Sequence, residues 1–198
     1  MLTPKQNMLE VIKGGNPDRF VNQYEAVQLL FHPFMFTNPL LQPGQENVVN
    51  AWGVTNTFPK GVPGSFPVHT PDKIVVKDIE DWKDYVHAPS LKFTQDQWDM
   101  VKAQYDAVDG EQAFKAAFVA PGLFEQTHHL CEISNALVYY ITNPDEMHDL
   151  IKYLTEWELE LAEGICSNLH PDALFHHDDW GGLDSTFMSP AMFDVIFT

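Results

Sequence analysis

"AFKAAFVAPGLFEQTHHLCEI" (residues 113–133) decides how the chain is read. Residues 113–120 are an apolar run of strand length, Pro121-Gly122 break it, and residues 123–133 read as a helix. The same alternation recurs on both sides. Upstream, a short amphipathic helix is capped by Thr3, has Pro4 in its first turn and is stopped by Gly14-Gly15. "DRFVNQYEAV" (18–27) and "ENVVNAWGVT" (46–55) read as strands, and "FPKGVPGSFPVHTP" (58–71) as a turn-laden loop. Helices are expected over 77–91 and 94–108, the second capped by Thr94 with apolar spacing at Trp98, Val101, Tyr105 and Val108. Downstream come a helix over 134–142, a long helix over 143–169 capped by Asn143, a strand "ALFHHDDW" (173–180) and a helix over 189–197 capped by Ser189.

Apolar strands interleaved with helices imply an α/β fold with a mostly parallel sheet covered by helices. In such folds the chemistry collects at the carboxyl ends of the strands. Here those ends are polar or unusual: Asn22 to Glu25, then Asn50-Ala51-Trp52-Gly53, then Pro121-Gly122 with Glu125, then His176 to Gly182.

Composition narrows the function classes. The 198 residues are 44% hydrophobic and 13% aromatic, enough for one packed domain. No apolar run is long enough to span a membrane, and the N-terminus lacks the basic start and apolar core of a signal peptide, so a cytoplasmic protein is expected. The chain has 28 acidic against 11 basic residues, a formal charge of −17, and a single arginine, Arg19. That excludes nucleic acid as the expected partner, because phosphate neutralisation needs clustered Lys and Arg. It also weighs against polyanionic substrates. Cys131 and Cys166 have no metal-ligand spacing and are expected to be buried thiols. No metal site is expected within the chain.

The densest chemistry lies in "FHHDDWGGLDSTF" (175–187). Alternate strand residues share a face, so His177 pairs with Asp179 on one side, and His176 with Asp178 and Trp180 on the other. Either pair suits a general acid or base, because a neighbouring carboxylate raises the imidazole's proton affinity or fixes its tautomer. Gly181-Gly182 would let the backbone approach a ligand closely. Adjacent His128 and His129 cannot share a helix face, and Glu125 in the first turn of its helix suits the helix dipole.

Three blocks resemble one family. "TPKQNMLEVIKGGNPDRFVNQYE" is similar to the opening of the uroporphyrinogen decarboxylase superfamily, a helix, then G-x-x-PDR, then the first barrel strand. "PGLFEQTHHLCEISNAL" resembles its G-x-F-E…L-x-G-x-E-x-A-L segment, and "PDALFHHDDWGGLDSTFMSPAMF" the strand whose Asp-Trp-Gly element precedes F-x-SP-x-x-F. The resemblance covers essentially all 198 residues and implies a (β/α)8 TIM barrel. Such barrels need about 250 residues. The chain is therefore expected to be the N-terminal part of one barrel domain, a truncated half-barrel of about four parallel strands. Its exposed edges would favour homo-oligomers.

Two branches of the superfamily are relevant. Uroporphyrinogen decarboxylases act on a tetrapyrrole without a cofactor and hold its carboxylates with an arginine-rich element, where this chain has Asn22-Gln23-Tyr24-Glu25. Corrinoid-linked methyltransferases take a methyl group from a small-molecule donor or a corrinoid protein, and several use a zinc-activated thiol. The resemblance favours methyl transfer, with decarboxylation as the alternative. On this enzyme reading His177 takes the proton-handling role and Asp179 an orienting or substrate-binding one. Tyr24, Glu25, Asn50, Trp52 and Glu125 would line the mouth, with His176, Asp178, Trp180 and Gly181 as further binding residues. Zinc and a corrinoid partner would belong to the full-length family member, and the chain by itself is expected to be an inactive fragment.

Overall fold

A computed structural model describes residues 1–37 and 40–197. α1 (Pro4–Ile12) opens on a closed capping box: the Thr3 hydroxyl accepts the Gln6 N–H, and the Gln6 side chain accepts the Thr3 N–H. α2 (Gln23–Ala26) is one turn that runs into β1 (Val27–Leu30), and α3 (Phe34–Thr37) follows. Next come β2 (Val48–Val49), β3 (Thr55–Thr57), β4 (Phe66–Pro67) and α4 (Trp82–Tyr85). α5 (Gln95–Asp106), β5 (Phe114–Val119), α6 (Leu123–Cys131), α7 (Ile133–Thr142) and α8 (Pro144–Leu169) form the central run. β6 (Ala173–His176) and α9 (Pro190–Phe197) complete it.

β1, β5 and β6 form a parallel sheet in the order β1-β5-β6, with Val27 opposite Phe114 and Ala116 opposite Ala173. β2, β3 and β4 form a separate antiparallel sheet. The chain is thus α/β, but the expected half-barrel of four parallel strands with covering helices is not what forms. The reason lies in residues 46–55, which do not run as one strand. The Asn50 side-chain oxygen accepts the N–H groups of Trp52 and Val54, both at 3.0 Å, and Gly53 takes a φ of 80°. These fold the chain back on itself, so β3 returns antiparallel to β2 and the two pair in a sheet of their own with β4. The stretch 18–27 also differs from expectation. Glu25 accepts the Asn22 N–H and holds Arg19, which favours the helical turn α2, and the strand begins only at Val27. The helix expected over 77–91 shrinks to α4.

The chain divides into two compact units. Unit one comprises residues 1–34, 92–119 and 161–176 and holds the parallel sheet. In it α5 buries Trp98, Val101 and Tyr105, the helical spacing read from the sequence. The Phe118 ring meets Phe31 edge-on and stacks on Phe175. Asp172 accepts the Lys115 N–H and pairs with Lys5, fixing the entry to β6.

Unit two comprises residues 35–91, 120–160 and 177–198. Its core gathers Ile79, Trp82, Phe124, Leu130, Met147 and Leu154, all buried. Full burial of each such side chain contributes about 1.5–3 kcal/mol. Trp52 packs edge-on against Trp157, whose indole N–H donates to the Pro89 carbonyl at 2.8 Å.

Candidate functional site

Two chain segments build the site, and both belong to unit two. After β5 the chain passes Pro121 and Gly122 into α6; after β6 it continues through His177, Asp178, Asp179 and Trp180. Gly122 occupies the N-cap position of α6 and has no side chain with which to cap it. Asp178 supplies the cap instead. Its Oδ2 accepts the Phe124 N–H at 3.0 Å, and its Oδ1 accepts the Glu125 N–H at 2.9 Å. A Cβ on residue 122 would stand 2.5 Å from Asp178 Cγ and 2.8 Å from its Oδ2, so only glycine leaves room for this approach.

The helix start fixed in this way carries Glu125, whose Oε2 lies 3.0 Å from His177 Nδ1. The Glu125 side chain is 15% exposed and that of His177 43%, so a shielded carboxyl faces a half-exposed imidazole. Burial pushes the Glu125 carboxyl above its ordinary range. The hydrogen bond and charge of His177 pull it back in part, while the charges of Asp178 and Asp179 push in the same direction as burial. A carboxyl with raised proton affinity in contact with an imidazole can hold a proton and pass it on.

Phe124, the neighbour of Glu125 in α6, carries ring contacts of its own. Phe124 stacks on Tyr140 and on Phe187 and meets the His128 ring edge-on at 5.3 Å. Burial pushes His128 below its ordinary range, and pushes His129 down to about 3. His69 Nε2 lies 3.2 Å from the His129 carbonyl oxygen. Among the described residues, no three His, Cys, Asp or Glu side chains gather as a metal-holding set.

The structure therefore brings together Glu125, His177 and Asp178, with Asp179 exposed but near enough for its charge to act on Glu125. His176 ends β6 in unit one, exposed. Tyr24 and Glu25 also lie in unit one, Tyr24 70% exposed and Glu25 engaged by Arg19 at 3.0 Å. Asn50 shapes the β2–β3 turn, and Trp52 belongs to the core of unit two. Trp180 leans on Phe193 at 4.5 Å between ring centroids. Gly181 bridges to Thr186 in a short antiparallel turn in which the Gly182 N–H donates to the Ser185 carbonyl. The long-range cap from Asp178 has no local sequence signature. Its one trace is a helix start, Gly122, without a capping side chain.

Comparisons with protein-family models, curated proteins and solved structures found no match. What fold and site define is an α/β protein with a carboxyl–imidazole pair at a helix start. No described helix is long and apolar enough to cross a membrane.

Proposed function

We propose that Glu125 and His177 are the proton-handling pair of an enzyme acting on a small molecule, and that its reaction is methyl transfer of the kind run by the corrinoid-linked branch of the uroporphyrinogen decarboxylase superfamily. The observation that carries the reading is the 3.0 Å approach of Glu125 Oε2 to His177 Nδ1, made by residues 52 apart in the chain. His177 takes or releases the proton of the methyl acceptor at its half-exposed ring, and Glu125 orients that ring and balances its charge. A corrinoid partner would supply the methyl carrier. The zinc-activated thiol implied by the resemblance has no donor set among the described residues, and no step is assigned to it.

One observation favours methyl transfer over decarboxylation of a tetrapyrrole. The single arginine is already committed: both Arg19 guanidinium nitrogens reach the Glu25 carboxylate, at 3.0 and 3.4 Å. A polycarboxylate would find no arginine fork here and would meet a chain of charge −17.

The test supplies the chain with methylcobalamin and a thiol and follows demethylation of the corrinoid by absorbance, with uroporphyrinogen decarboxylation assayed alongside. The half-barrel that made the chain an expected inactive fragment is not what forms, so thiol-dependent demethylation by the chain itself is the result expected here, lowered about 100-fold by His177→Ala and by Glu125→Gln. Porphyrinogen turnover in its place would move the assignment to the decarboxylase branch. Inertness in both assays would overturn the enzymatic reading.

A further inference from the structure

We propose that Asp178 is a positioning residue, whose carboxylate seizes the Phe124 and Glu125 N–H groups and so fixes the helix start that presents Glu125 to His177. The inference rests on the reading of Glu125 and His177 as a working pair. Three features of the chain converge on it. α6 begins at a residue with no side chain, and that residue is the one type that admits Asp178. The two accepted N–H groups sit at 3.0 and 2.9 Å, one on each carboxylate oxygen, so the cap is two-pronged and fixes direction as well as distance. The second of those groups is the backbone N–H of Glu125 itself, and Asp178 follows His177 directly. One carboxylate thus ties the backbone of the first partner to the segment that carries the second.

The same contact brings negative charge to the helix start, where the dipole favours it, and sets it beside Glu125. Asp178 therefore acts in two separable ways. Its geometry holds Glu125 in reach of His177, and its charge favours the protonated form of Glu125. Asp178→Asn removes the charge and keeps one acceptor oxygen, whereas Asp178→Ala removes both. The charge of Asp179 also acts on Glu125, and those of Asp178 and Asp179 on His128; Asp179 and His128 are left unchanged in either variant.

The experiment is an NMR titration of the Glu125 carboxyl in the full chain, with amide exchange of Phe124 and Glu125 as a local readout. His177→Ala is introduced into the wild type, into Asp178→Asn and into Asp178→Ala. In the wild type, His177→Ala should raise the Glu125 midpoint, because the hydrogen bond and charge of His177 lower it, and in Asp178→Ala that shift should vanish. Amide exchange at Phe124 and Glu125 should quicken about tenfold in Asp178→Ala, while Leu130 keeps its protection. Asp178→Asn should lower the Glu125 midpoint and retain part of the coupling, which keeps the test open if the alanine variant fails to fold. An undiminished shift in both Asp178 variants would overturn the positioning role. No shift of the Glu125 midpoint on His177→Ala in the wild type would instead overturn the pair itself, and the positioning role with it.

Discussion

His32 is a deeply buried titratable ring of unit one, 1% exposed and stacked on Phe34. Burial pushes it down to about 4, against a smaller opposing pull from the Phe118 backbone. Below pH 6.5 the unfolded chain protonates this ring while the folded chain refuses the proton, so stability is complete above 6.5 and drains away as pH falls toward 4. The loss at this one residue amounts to about 3 kcal/mol. His32→Leu should flatten that part of the stability–pH profile measured by urea unfolding between pH 7 and 4; an unchanged slope would mean that the ring is protonated in the fold. Nothing in the sequence around His32 announces this environment, because burial is a property of the folded unit. The same holds at the candidate site. Four adjacent titratable residues at 176–179 were legible as a cluster, but the partner that selects His177 stands 52 residues away. Face alternation along a strand pointed to Asp179 as its companion. β6 ends at His176, so the alternation has already lapsed where the site begins.

Elements whose ends are sealed locally were the legible ones. The Thr94 hydroxyl accepts the Gln97 N–H at 3.3 Å and the Gln97 side chain accepts the Thr94 N–H at 2.8 Å, so the cap of α5 is written within four residues. Thr94→Ala should lower unfolding stability by about 1 kcal/mol, seen as a lower urea midpoint at unchanged slope. A neutral outcome would place the start of α5 elsewhere. The strands were less legible, since their pairing depends on distant segments. Residues 46–55 have strand composition throughout, yet the Asn50 side chain and the positive φ of Gly53 convert their middle into a turn. That one turn separates a parallel series from an antiparallel hairpin, and so decides the sheet count. In the same way the Glu25 carboxylate, bound by Asn22 and Arg19, turns the expected first strand into a helical turn and delays β1 to Val27.

At the scale of the whole molecule, the two cysteines report on the two units separately. Cys166 is exposed and lies in unit one, contrary to the expectation of two buried thiols. Cys131 ends α6 inside the core of unit two, fully buried beside Leu130 and Ala136, and burial pushes its thiol up to about 12. Only a thiolate attacks a disulfide reagent, so Cys131 can react only when unit two opens. In the native chain an aromatic disulfide reagent should therefore titrate one thiol at once and the second at the opening rate. Cys166→Ser should remove the fast phase and leave the slow one untouched. Urea below the unfolding midpoint should then accelerate the slow phase exponentially, with a slope that measures the surface unit two exposes on opening. If that slope matches the equilibrium slope for the whole chain, Cys131 becomes reactive only through global unfolding. A much smaller slope means that the core around Phe124 and Leu130, and the helix start built on it, opens by itself. Two equally fast thiols would contradict the packing of that core.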